Sequence, residues 1–299
     1  MHFREWLIAK GVSFASAAFE LTITSIVCVA VIFAWEIWQL GHERSSVQAI
    51  RSGDASARRD LLSFVLDVTG ILRVLGHVVT LGIGFAIGNA VRVMLGLNLT
   101  GLIANPALQV ATFLFFKSFC DYWMHRWMHL SPVLWEIHKY HHSADEMNVV
   151  TAHREGILVT PFVSIFAALP FGILGLPVHT FILVAVVLEF HALIIHSRLT
   201  FELGWFEWLI ISPRAHRLHH ALELSRGTQN YGFTTSIWDH VFGTYGRAPD
   251  VEFPVGLERD FYNTAPWHLE MAHSMAETGR AIVRLARRAP IADEAPTLR

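Results

Sequence analysis

Apolar residues gather along the chain into runs of membrane length divided by short polar connections, a pattern that predicts helices rather than strands. The first run covers 18–40, with Glu20 near its start and Trp35, Glu36 and Trp38 at its end; the tryptophans suit a headgroup boundary. No convincing small-residue cleavage site follows, so the run is expected to be retained. Residues 41–60 are polar and arginine-bearing. The stretch 61–75, interrupted by Asp67 and Arg73, fits an interfacial or packed helix better than a span. Two hairpins follow. One joins 76–95 to 107–124 through LNLTGLIANP, and the other joins 157–174 to 178–195 through the turn at Gly172 to Pro177. Near the end, 267–288 sets Leu269, Met271, Met275, Ile282 and Leu285 against Arg280, Arg284, Arg287 and Arg288. That is a basic amphipathic helix, either lying on an anionic leaflet or capping a soluble face. The last ten residues read as disordered.

These runs predict an all-α integral membrane protein with about four to five transmembrane helices. Composition agrees: 53% of the 299 residues are hydrophobic and 16% charged, well off the profile of an average soluble domain. A formal charge of -2 with no long basic block gives no reason to invoke nucleic acid. Cys28 and Cys120 both lie in apolar segments, which indicates neither a disulfide framework nor a thiolate metal site.

If each hairpin crosses the bilayer, both return to the side they left and deliver His125 and His196 to one face. The far turns, 97–106 and 172–180, hold no Lys or Arg, whereas the histidine side carries Arg126, Lys139, Arg154, Arg198, Arg214, Arg217 and Arg226. A Lys/Arg excess marks the cytoplasmic side, so the histidines are expected there, at the inner membrane if the source is bacterial.

Three short clusters stand beside the apolar runs: His125/His129 in HRWMH, His138/His141/His142 in HKYHH and His216/His219/His220 in HRLHH. Steps of three and four put imidazoles on one helix face, a turn apart, as a shared metal requires. Eight imidazoles are too many for one tetrahedral ion. Neutral imidazole suits iron, zinc, copper and nickel alike, so the spacing does not name the metal. Ser131-Pro132 and Ser212-Pro213 precede the last two clusters and signal helix starts. Tryptophans 123, 127, 135, 205 and 208 surround these segments, either at a headgroup boundary or in the core.

Taken in order, HRWMH, WEIHKYHH, ISPRAHRLHH, NYG at Asn230 to Gly232 and WDHVFGTY resemble the fatty acid hydroxylase and sterol desaturase superfamily of membrane histidine-box enzymes. The resemblance covers roughly 107–246. It implies an N-terminal membrane region over 1–106, a catalytic domain over 107–246 with a cytoplasmic helical cap holding a dimetal site, and a C-terminal helix and tail over 247–299. It implies two iron ions, with zinc as a possible substitute, and O2 as co-substrate. Carried over, the ligands are His125, His129, His138, His141, His142, His216, His219 and His220. His196 follows the second hairpin in the family's position, with Arg198 where Asn is usual, and His191 is a further candidate. No catalytic residue beyond these ligands is implied. Asp121 and Asp239 are candidates to orient the rings, and His153 and Asn230 to stand behind them.

An alkyl C–H bond has no acidic proton and no leaving group, so the oxidant must come from a metal or cofactor. Phe113, Phe115, Phe116, Phe162 and Phe166 are candidate walls for an apolar lipid tunnel. The chain has no CxxC, dinucleotide fingerprint or haem-attachment motif. Electrons are therefore expected from a separate ferredoxin, cytochrome or reductase. Three functions stay open: hydroxylation of a membrane lipid's acyl chain, desaturation or hydroxylation of a sterol or carotenoid ring, and non-catalytic metal binding.

Overall fold

A computed structural model describes the backbone of residues 3–97, 99–176, 178–224, 229–258 and 261–288, and the side chains of these except 3–21, 71–82, 99–100, 178–179, 181–182, 224 and 288. The expected disorder of the last ten residues therefore falls outside the described residues, as does Arg226. Twelve α-helices and four 3-10 turns make up the regular structure there; a single isolated bridge joins Ala221 to Val255.

Five long helices carry the apolar runs: α1 (Phe3–Leu40), α4 (Ile71–Leu95), α6 (Pro106–Leu130), α8 (Val159–Leu174) and α9 (Val178–His196). Between α1 and α4, α2 (Ser46–Ser52) and α3 (Ala55–Val68) are short and polar, capped by the side chains of Ser45 and Asp54. Asp67 and Arg73 do not share one helix. Thr69 and left-handed Gly70 divide the interrupted stretch into the end of α3 and the start of α4.

Backbone proximity ties α4 to α8. A Cβ at Gly84 would stand 2.5 Å from the Ile165 carbonyl, and one at Gly88 would stand 2.4 Å from that of Leu169. Gly172 meets the Phe85 carbonyl from the other side. Small residues four apart let two helices approach where lipid supplies no hydrophobic drive between them. Elsewhere α1 lies along α9, joined through Val29, Ile32 and Leu193, while Phe113, Phe171 and Val184 join α6, α8 and α9.

Ile26, Val27 and Val31 on α1, Val93 and Met94 on α4 and Leu183 and Val187 on α9 are exposed, as apolar faces turned to lipid would be. Thr22–Leu40 is long and apolar enough to cross a membrane; Ile83–Leu95, Val159–Leu174 and Leu183–His196 are shorter apolar stretches among the described residues.

A second set of short helices sits at one end of this framework. It comprises α7 (Pro132–His142), α10 (Pro213–His219) and α11 (Ile237–Val241). Ser131 and Ser212 cap α7 and α10, and Pro132 and Pro213 take their first turns, as the two Ser-Pro pairs predict. The terminal helix α12 (Trp267–Arg288) packs on α7. Met271 joins Tyr140 and Tyr262 in a common core, and Ser274 Oγ donates to the Glu136 carbonyl. It is thus a cap over α7 on one side, with Met275, Ile282 and Leu285 exposed on the other.

Candidate metal centre

The last turns of α6, all of α7, the end of α9 and all of α10 meet in one place, and nine histidines fill it in two groups. His125, His129, His138, His142 and His219 form the first. His141, His196, His216 and His220 form the second. Within each group one nitrogen per ring lies within 4.8 Å of all the others. The groups adjoin: the rings of His142 and His220 stack at 4.2 Å, one from each group.

Ring nitrogens face one another at close range. Nε2 of His125 stands 3.2 Å from Nε2 of both His138 and His129, and Nε2 of His196 stands 3.3 Å from that of His141 and 3.1 Å from that of His216. Ligands about 2.0–2.1 Å from a shared ion stand roughly 3.0–3.4 Å apart along a polyhedron edge. Nε2 of His142, His219 and His220 is buried without a hydrogen-bond partner, which is costly unless something else takes the lone pair. The donor set and its unpaired nitrogens fit two metal ions.

Electrostatics favours the ligand form. Burial first, and then the neighbouring histidines, hold His138, His141, His142, His216 and His220 well below the usual imidazole range; at His219 burial dominates, followed by His125. At neutral pH these rings carry a free lone pair, the form that binds a metal.

Three rings are held from behind by carbonyls. His125 Nδ1 meets the Tyr231 oxygen at 2.8 Å, His219 Nδ1 the Gln229 oxygen at 2.9 Å and His196 Nδ1 the Ala192 oxygen at 2.7 Å. A donor at Nδ1 leaves Nε2 as the ligand atom. The two loop carbonyls flank Asn230, which is left-handed at φ 56° and fully bonded: its amide donates to Ala215 and Gly246 oxygens and its own oxygen accepts from Gly246 N. Asp239 accepts from Tyr231 N, Gly232 N and Thr244 Oγ1. Gly232 has no room for a Cβ, which would fall 2.1 Å from the Thr235 carbonyl. Asn230 and Asp239 therefore act on the rings through the 229–232 backbone.

Other sequence candidates sit elsewhere. His191 belongs to neither group. Asp121 does not face an imidazole, because both its oxygens accept from Lys117 Nζ, at 2.8 and 2.6 Å. His153 bridges Asp67 at 2.8 Å and Glu189 at 3.1 Å. Burial opposes charge on His153, but hydrogen bonds to the two carboxylates and their charges outweigh it and raise its pKa to about 9. Phe113 is buried against Phe171 and Phe162 packs on Phe166, whereas Phe115 is half-exposed. The tryptophans divide: Trp135 is buried against His129 and His142, while Trp205 and Trp208 are exposed.

Two supporting residues escape a sequence reading. Arg154, wholly buried, pairs with Asp60 at 2.7 Å and donates to the Tyr140 carbonyl and Ser143 Oγ, so it clamps the end of α7 to α3. Glu36 is equally buried and accepts from Ser46 N, Ser46 Oγ and Arg198 N, tying α1 to the residue two beyond His196.

Residues 110–244, which contain all nine histidines, match the fatty acid hydroxylase family. An ornithine lipid hydroxylase of Rhizobium tropici is 32% identical over 143 residues, covering 48% of this chain and 43% of the relative. An alkylglycerol monooxygenase of Xenopus tropicalis is 32% identical over 157 residues, covering 51% and 33%. A Delta(7)-sterol 5(6)-desaturase of Eremothecium gossypii is 30% identical over 179 residues, covering 56% and 45%. The chain thus spans less than half the length of each of these relatives. No solved structure matches it.

Proposed function

Because residues 110–244 match the fatty acid hydroxylase family, we propose that the chain is an O2-dependent hydroxylase of a membrane lipid, most directly of an acyl chain. The observation that carries this is the adjacency of the two histidine groups, five rings beside four, in a chain with apolar helices of membrane type. His125, His129, His138, His142 and His219 would hold one iron, and His141, His196, His216 and His220 the other. A pair of such ions supplies the oxidising power that amino-acid side chains lack.

The chain's own residues supply the rest. Neutral imidazoles offer lone pairs without bringing charge, and the carbonyls of Ala192, Gln229 and Tyr231 fix which nitrogen offers them. Trp135, itself buried, packs against the His129 and His142 rings. The helices α4, α6, α8 and α9 would cross the bilayer as two hairpins with α1 beside them, and the histidine side would lie at the cytoplasmic surface. On this reading 1–106 is membrane anchor, 107–246 the catalytic domain with its helical cap, and 247–299 the covering helix and tail. Electrons would arrive from a separate ferredoxin, cytochrome or reductase on the basic face.

A second reading, desaturation or hydroxylation of a ring lipid, is favoured by the sterol desaturase among the relatives. Reconstitution with a reductase, 18O2 and membrane lipids separates the two. Label in an acyl chain is expected; label in a ring lipid, or oxidation without incorporation, would support the second reading, and no O2-dependent lipid product would refute both.

A further inference from the structure

A cavity beside α10 lies outside the metal centre. It has a volume of about 270 Å3 and is walled by the 3-10 turn Gly204–Trp208, the first turns of α10 and the segment from His240 to Ala248. Its lining is aromatic and charged. His240 stacks between Trp208, at 3.7 Å and 5°, and Tyr245, at 4.0 Å and 23°.

Glu207 lines the same space and is 8% exposed. Its Oε1 accepts from Leu203 N, whereas its buried Oε2 has no hydrogen-bond partner and no basic side chain within ion-pair reach among the described residues. The other lining carboxylate, Glu202, is already matched by Arg214 at 3.3 Å and Arg247 at 3.8 Å. Arg214 is further engaged by Asp250, while Arg247 is 77% exposed. An unpaired buried carboxylate oxygen beside stacked aromatic rings is what an ammonium group requires; an exposed arginine beside them suits an anion carried by the same molecule.

The surroundings point to a lipid rather than to a soluble amine. The wall of the cavity continues without a break into Trp205, Phe206, Trp208, Leu209 and Ile210, all exposed, and His216, on the next turn of α10, is a member of the second histidine group. A contiguous exposed run of tryptophan and aliphatic residues is at home at the headgroup level of a bilayer. We propose that this cavity seats the ammonium-bearing headgroup of a zwitterionic lipid, with Glu207 as counter-charge, Trp208 and Tyr245 as walls and Arg247 on the headgroup's phosphate or carboxylate. It names a substrate class for the lipid-oxidising reading and rests on that reading only for the bound lipid being the one oxidised.

Binding tests it without turnover. The full chain in detergent is offered equal amounts of phosphatidylethanolamine and phosphatidylglycerol with identical acyl chains, and retained lipid is counted by native mass spectrometry. Phosphatidylethanolamine is expected to be preferred by about tenfold, the size of one ammonium–carboxylate and aromatic contact. Glu207→Gln, which keeps the acceptor for Leu203 N, should abolish the preference. Trp208→Leu should weaken it and Trp208→Phe, which keeps a ring, should preserve it. Equal retention by the unaltered protein, or a preference untouched by Glu207→Gln, would overturn the proposal. Displacement by the same concentration of phosphoethanolamine would reassign the cavity to soluble amines and overturn it as well. A protein that keeps the preference but oxidises no lipid would refute the enzymatic reading alone.

Discussion

The two histidine groups are held from behind by different parts of the molecule. In the first, His125 leans on the carbonyl of Tyr231, 106 residues away, and His219 on that of Gln229, so its geometry depends on a loop ordered by Asn230 and Asp239. In the second, His196 leans on Ala192 one turn back in its own helix. One group is set by a long-range loop, the other by the end of an apolar helix. Damage to the loop should therefore spare the second group, whereas α7 and α10, which each supply both groups, should affect them together.

The largest effect is expected from the rings. His142→Ala should cost the first group its ion and turnover more than about a hundredfold, beyond the range for outer-shell partners, and His216→Ala should do the same to the second. Metal content per chain beside lipid oxidation checks both. Next, Asp239→Ala should lower metal affinity by about 10–100-fold in the first group alone, read as one ion lost to a chelator while the other stays. Equal loss from both groups would erase the distinction.

Arg154→Met should then cost about 3–5 kcal/mol, because it strands Asp60 as a buried unpaired charge, and should loosen both groups through α7. Thermal unfolding in detergent gives the first effect and metal retention the second. The smallest effect concerns pH. His153 holds Glu189, two turns before His196, and its pKa is raised from 6.5 to about 9. Its stabilisation is complete below pH 6.5 and is lost as pH rises through 9. The unfolding midpoint should fall over that window, and His153→Gln should flatten that part of the profile.

Much of this was legible in the residues. The steps of four, 125/129, 138/142 and 216/220, fix which rings share a group, whereas the steps of three, 138/141 and 216/219, divide between the groups; Ser-Pro pairs fix where α7 and α10 begin, because both are properties of a single helix. His191 stands outside both groups for the same local reason. It stands five residues before His196, about 140° around the helix, and so turns away from the ring it was expected to accompany. Asp121 does share a face with His125, but Lys117 lies one turn earlier on that face, and a carboxylate in an apolar layer takes the nearest cation.

What escaped the sequence is long-range. Arg154 meets Asp60 94 residues away, and Glu36 meets Arg198 N at a separation of 162. No periodicity announces such partners. The family resemblance over the boxes was borne out by the match of residues 110–244, whereas the all-helical fold already followed from the apolar pattern.

The central claim is that nine histidines form two separate ion sites, and iron stoichiometry in the purified protein tests it most directly. Two irons per chain are expected in the unaltered protein and one each in His142→Ala and His216→Ala. A single iron in the unaltered protein, or the loss of both irons on removing either ring, would contradict it.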